Sequence, residues 1–186
     1  DDMSGTYFVI LFSLWKTKRN CNVYNVSMKV FVGLGNPVDK YKNNRHNVGH
    51  MFVDFCIKRL TSSRVNEFKY LKTDCFMNVS GKFVKQHVLR FKLQDLYVVH
   101  DDLDIPLGKF KIQFGTGPKL HNGILSIEEE LETNEFWRVR IGVDNRVESK
   151  IDGETYSLQD FTDEELKQLQ TVFENIYKQL QTQKII

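Results

Sequence analysis

Met28-Lys29-Val30-Phe31-Val32-Gly33-Leu34-Gly35-Asn36-Pro37 is the stretch on which the fold turns. Met28 to Val32 is a short, mainly apolar run that reads as a buried strand, and the glycine-asparagine-proline cluster behind it ends the strand in a loop. A second unit of the same kind lies downstream, where Leu96 to Val99 is a buried strand closed by the polar run His100-Asp101-Asp102. Between them Val48, Met51, Phe52, Phe55, Cys56 and Leu60 recur at helical spacing. Residues 61–74 are polar and irregular, Cys75-Phe76-Met77 is strand-like, and Ser80 is placed to cap a helix carrying Phe83, Val84, His87, Val88 and Phe91. Phe110, Ile112 and Phe114 alternate with polar residues, as do Trp137, Val139, Ile141 and Val143, the period of half-buried strands. Gly115 to Pro118 breaks the first of these, and Asn122 opens a helix through Leu131. Thr162-Asp163-Glu164-Glu165 is a capping box ahead of a last amphipathic helix. Strands alternating with helices predict an α/β fold, a single domain over residues 28–186 with a twisted, mixed but mostly parallel sheet flanked by helices. Its chemistry is expected at the carboxyl ends of the strands.

A chain of 186 residues, 41% of them apolar, suits one domain with a sizeable core. The net charge of +2 conceals a bipolar molecule: residues 28–127 hold 16 basic and 8 acidic side chains, residues 128–186 hold 7 and 14. A basic half suits a polyanionic partner. Three cysteines, Cys21, Cys56 and Cys75, form no CxxC pair, which argues against a disulfide framework and against a zinc knuckle and favours a reducing compartment. The apolar run Tyr7 to Trp15 is far short of the roughly 20 residues of a membrane span. Residues 1–27 are expected to lie outside the domain as a disordered, transit-like or non-native tail, the regular pattern beginning at Met28. A cytoplasmic location follows from the poor fit to a transit peptide, with the mitochondrial matrix as the alternative.

Several catalytic patterns fail. Gly33-Leu34-Gly35 lacks the third glycine of a dinucleotide fingerprint, Gly81-Lys82 and Gly108-Lys109 lack the rest of a P-loop, and no GxSxG elbow occurs. His46 and His50 are four apart, but no Glu or Cys completes a zinc site. The strand-end and turn positions supply instead one imidazole, His46, one carboxylate, Asp101, three carboxamides, Asn36, Asn78 and Asn122, and the phenol of Tyr41. An imidazole oriented by a carboxylate can take a proton from water near neutral pH, and carboxamides can hold a peptide and a developing oxyanion. Each residue alone has an ordinary structural use in a turn or cap.

The words read in series are more specific: Val32-Gly33-Leu34-Gly35-Asn36-Pro37, Tyr41, Arg45-His46-Asn47-Val48-Gly49, Phe76-Met77-Asn78-Val79-Ser80-Gly81, His100-Asp101-Asp102-Leu103-Asp104, His121-Asn122-Gly123 and Arg138-Val139-Arg140-Ile141-Gly142. That series resembles the bacterial-type peptidyl-tRNA hydrolase family over about residues 28–180. The resemblance implies a metal- and cofactor-free esterase, monomeric and without an obligate protein partner or membrane attachment, that frees stalled peptides from tRNA and so serves translation and ribosome rescue. It implies His46 as general base, Asp101 as its orienter, and Asn36, Tyr41, Met77, Asn78 and Asn122 around the peptide and reacting centre. Lys111 and Arg140 would meet tRNA phosphates near the acceptor stem. The chain departs from the family pattern in having Gln113 where a lysine is usual, a bulkier loop at residues 115–120, Asp102 for a glutamate, Asp144-Asn145 for a more glycine-rich turn, and a short segment between His46 and Asn78. That last departure predicts the loss of a strand pair at the sheet edge. The rival reading is a non-catalytic RNA-binding protein on the same fold, which would tolerate damage at His46, Asp101 and the asparagines; all of them are intact.

Overall fold

Val30 and Val32 face one side of the sheet and Phe31 the other, and all three are fully buried, so strand β1 (Lys29–Gly33) must be covered on both faces. The computed structural model describes residues 28–37, 39–60, 64, 67–146 and 151–186; the expected tail lies outside the described residues. The remaining elements are α1 (Val48–Ile57), β2 (Phe68–Lys72), α2 (Ser80–Val88), β3 (Leu96–Pro106), β4 (Phe110–Phe114), α3 (Asn122–Leu131), β5 (Trp137–Asp144), α4 (Gly153–Ser157) and α5 (Asp163–Thr182). The sheet runs β2-β1-β3-β5-β4, with β4 antiparallel to β5 and every other pair parallel. This is the single mixed, mostly parallel α/β domain read from the sequence.

Two apolar layers cover the faces. On one, Phe31, Tyr97, Val99, Val139 and Ile141 pack under α1 and α5 through Phe52, Phe55, Leu169, Phe173 and Ile176. On the other, Val30, Val32, Leu96 and Val98 meet α2 and α3 through Val84, Val88, Ile124 and Ile127. The capping box of α5 forms in both directions, Thr162 Oγ1 accepting from Glu165 N and Glu165 accepting from Thr162 N. Gly49 brings α1 against the sheet: a Cβ there would stand 2.3 Å from the Val99 carbonyl. Only glycine permits that approach, and it presses the start of α1 onto the end of β1 and the body of β3.

Four expectations need correction. Residues 68–72 are not irregular but form β2, a single strand that pairs with β1 and makes the edge of the sheet. Cys75 to Met77 is not a strand; it leads into a single 3-10 turn, Met77–Val79. Ser80 is the first residue of α2 rather than its cap, and the capping position, Val79, offers no side-chain bond. The strand that begins at Leu96 does not stop at Val99 but continues to Pro106, so His100, Asp101 and Asp102 lie within it, each at most 1% exposed. No helix among the described residues is long and apolar enough to cross a membrane.

Candidate active site

His46 sits in a 3-10 turn, Arg45–Asn47, against the middle of β3, where Asp101 lies. Its Nδ1 lies 2.8 and 2.9 Å from the two carboxylate oxygens of Asp101. A carboxylate only accepts, so Nδ1 carries the proton and Nε2 keeps its lone pair for a ligand. Burial works against charge on His46, but the charge and hydrogen bond of Asp101 and the charge of Glu154 outweigh it and raise the imidazole above its ordinary pKa. For Asp101 itself, burial alone would favour the acid; the two histidines bonded to it hold it ionised, well below the usual carboxylate range.

The second histidine is His121. Its Nε2 is 2.9 Å from Asp101 Oδ1, while its Nδ1 accepts from the backbone N–H groups of Gly123 and Ile124 and caps α3. The cap fixes the tautomer: Nδ1 is an acceptor, so Nε2–H donates to Asp101. His46, Asp101 and His121 place ligand-type atoms within 4.8 Å of one another. A metal ion would nevertheless need the Nε2 lone pair that this tautomer does not have, so the donor set fits a hydrogen-bonded cluster rather than a metal centre. His50, at metal spacing from His46 in sequence, is turned away to Thr73 Oγ1 at 3.0 Å; burial and Lys72 push its pKa down to about 4.

The remaining candidates distribute unevenly. His46, Asp101, His121 and Asn122 line one hollow together with Leu103, Leu120, Glu154 and Ser157. Asn36 lines a neighbouring groove with Asn47 and His50. Its backbone is clamped by the Asn47 carboxamide, and its own Oδ1 accepts from Met77 N at 2.9 Å, leaving Nδ2 as the donor for a ligand. Asn78 follows on the exposed 3-10 turn. Met77 is 5% exposed and its side chain belongs to the apolar layer with Leu34 and Ile124, so it supports this wall from behind. Tyr41 lies in another 3-10 turn, Asp39–Tyr41, with the Lys40 ammonium 4.6 Å from its ring centre. Lys111 is exposed on β4 opposite Arg140. Arg140 is only 7% exposed: Nε donates to Asp102 at 2.6 Å, Nη1 to Gln113 at 2.5 Å, and the backbone of Gly117 lies against the guanidinium.

Sequence reasoning did not single out His121 or Glu154 as site residues. The position of His121 just before a helix was a usable signal for its cap, but its bond to Asp101 depends on where β3 and α3 lie in space. Glu154 belongs to a five-residue helix with too little periodicity to foresee.

Comparisons with known proteins identify the family. The sequence profile described as Peptidyl-tRNA hydrolase matches residues 30–184. The peptidyl-tRNA hydrolase of Pseudothermotoga lettingae is 41% identical over 160 residues, 79% of this chain and 85% of that protein. The one from Mycoplasmopsis synoviae is 37% identical over 158 residues, 78% of this chain and 83% of that protein. Among solved structures, peptidyl-tRNA hydrolase from Acinetobacter baumannii shares the fold with a TM-score of 0.66 at 23% identity, over 80% of this chain and 84% of that one. A profile that covers residues 30–184 and relatives at this identity over most of their length place the chain in the peptidyl-tRNA hydrolase family.

Proposed function

We propose that this chain hydrolyses the ester between a peptide and the 3′-terminal ribose of its tRNA, with His46 as general base and Asp101 as its orienter. The observation that carries the reading is the fixed tautomer of His46, whose Nε2 lone pair is free because Nδ1–H is held by Asp101. Water bound at Nε2 gives up a proton as its oxygen attacks the ester carbonyl. The resulting imidazolium is stabilised by Asp101, and the oxyanion by carboxamide donors among Asn36, Asn78 and Asn122. On collapse the bond from carbonyl carbon to ribose oxygen breaks, and that oxygen takes the proton back from His46. The products are a free peptide carboxylate and a tRNA with its 3′-terminal ribose hydroxyl restored. A positioned base contributes roughly 10²–10⁴ in rate and one oxyanion donor about 10²–10³, enough for an activated ester.

Tyr41 and Met77 shape the peptide side of the cleft in this reading, and Lys111 and Arg140 face tRNA phosphate. Lys111 is the exposed cation of the two; Arg140, bonded to Asp102 and Gln113, acts first as its scaffold. A monomer acting in the cytoplasm goes with this assignment. The test is release of N-acetyl-amino acid from N-acetyl-aminoacyl-tRNA by the parent and by His46→Ala at low and moderate salt. Turnover by the parent alone supports the assignment; salt-sensitive tRNA binding with turnover by neither protein replaces it with the RNA-binding reading.

A further inference from the structure

Three successive side chains leave the 3-10 turn in three directions. His46 goes to Asp101 on β3, Asn47 to the backbone of Asn36, and Arg45 away from the cleft to the corner formed by α4 and the start of α5. Arg45 is 4% exposed. Its Nη2 gives a forked pair of bonds to Glu165 at 2.7 and 2.9 Å, and Nη1 donates to the Asp160 carbonyl at 2.6 Å. The guanidinium lies between the rings of Tyr156 and Phe161, 4.2 and 4.9 Å from their centres. The backbone follows the same route: Arg45 N donates to Gln159 O, Phe161 N to Asn43 O, and Asn44 bridges to Asp160.

We infer that Arg45 is a positioning residue for the general base, fixing the backbone under His46 by clamping its turn to the Tyr156–Glu165 corner. The inference rests on the assignment of His46 as base. Asp101 alone sets the direction of the imidazole but not the place of the Cα that carries it. Asn47 ties the turn to the Asn36 loop on the cleft side, and Arg45 supplies the rigid attachment on the side of α4 and α5. The same guanidinium holds Tyr156 of α4, the helix that presents Glu154 to the His46 hollow. The groups that face His46 are thus Asp101 from β3, His121 from the start of α3 and Glu154 from α4, and Arg45 is the buried side chain that ties the His46 turn to the helix bearing the last of them.

The test is Arg45→Lys in the whole chain, which keeps the charge and loses the fork and the stacked plane. Leu180→Ala, at the far end of α5, serves as a control for lost stability. Both are assayed below their melting temperatures, and the His46 ring is titrated by NMR in the free protein. Arg45→Lys is expected to lower kcat by about 10- to 100-fold with KM within about twofold, and to return the His46 midpoint toward an ordinary imidazole. The control is expected to lose stability alone. A folded Arg45→Lys protein with parental kcat and parental His46 titration overturns the inference. If Arg45→Lys does not fold, Phe161→Leu, which only thins the stack, is read the same way. If the parent itself shows no turnover, the hydrolase assignment fails separately, and the NMR titration still decides whether Arg45 places the imidazole.

Discussion

The two faces of the central strands use the same backbone for opposite ends. Along β3 and β5, one face presents Tyr97, Val99, Val139, Ile141 and Val143 to α1 and α5 and is dry and apolar. The other begins as apolar, with Leu96 and Val98, and then carries His100, Asp102, Arg138 and Arg140, none more than 7% exposed. The charges there are paired, Arg140 with Asp102 and Gln113 and Arg138 through Nη2 with Glu128, although Nε and Nη1 of Arg138 and Nε2 of His100 have no hydrogen-bond partner among the described residues. An unpaired charge at such depth would cost several kcal/mol. The polar face is thus held by paired charges and the apolar face by volume, so the two should fail in different ways when altered.

The largest effect is expected where the two regimes meet. Asp101 and Val99 share one side of β3, yet Asp101→Asn should reduce kcat by roughly 10²–10⁴ with only a modest change in Tm. A carboxamide can turn its NH₂ toward Nδ1, reverse the His46 tautomer and occupy the lone pair needed for water. Steady-state hydrolysis of N-acetyl-aminoacyl-tRNA measures this, and a variant within threefold of the parent would remove Asp101 from the orienting role.

Next comes the buried charge. Glu128→Ala leaves Arg138, fully buried over the Phe136 ring, without its carboxylate and should destabilise the chain by about 3–5 kcal/mol. Arg138→Met, which removes the charge and keeps much of the volume, should cost less than Glu128→Ala. If urea unfolding ranks the two variants the other way, the polar face is held by packing after all. On the apolar face Leu169→Ala, 1% exposed, should cost about 2–5 kcal/mol in proportion to the cavity it opens, with kcat unchanged below its Tm.

This contrast also explains what the sequence disclosed. The apolar face was legible: Val139, Ile141 and Val143 alternate as a strand must, and the Thr162 capping box marks the start of α5 by local chemistry alone. The polar face misled, because His100-Asp101-Asp102 looks like the end of a strand when hydropathy is the guide. The strand in fact runs on through those residues because partners distant in sequence, Arg140 for Asp102 and His46 and His121 for Asp101, pair the two carboxylates. β2 was hidden for another reason: Phe68 to Lys72 mixes lysine, tyrosine and leucine, and its pairing with β1 becomes visible only in three dimensions. Of the site, His46, Asp101 and Asn122 were legible as residue types at strand ends and turns. Their common hollow, the second imidazole on Asp101 and the clamp on Arg45 depend on contacts across 20 to 120 positions of sequence.

The smallest effect separates the histidines by their titration. His50 and His100 are held neutral, His50 by burial and the Lys72 charge, His100 by complete burial and the neighbouring His121. Their folded pKa values lie below the ordinary 6.5, so as pH falls the unfolded chain takes up protons first. Stability is therefore full above about pH 6.5 and declines toward pH 4, where His50 also titrates in the folded state. Discounted for its partial exposure, His50 should contribute about 1–2 kcal/mol of that decline. His46 has the opposite sign: its raised pKa adds stability that is complete below 6.5 and is lost as pH rises through the folded value. Urea midpoints at pH 7 and pH 4.5 span the first window, and the His50 share is read from the difference between parent and variant. His50→Gln, which can still bond Thr73 and cannot titrate, should flatten the slope between them; parallel slopes for parent and variant would mean that His50 is protonated in the folded chain and that its burial carries no electrostatic cost.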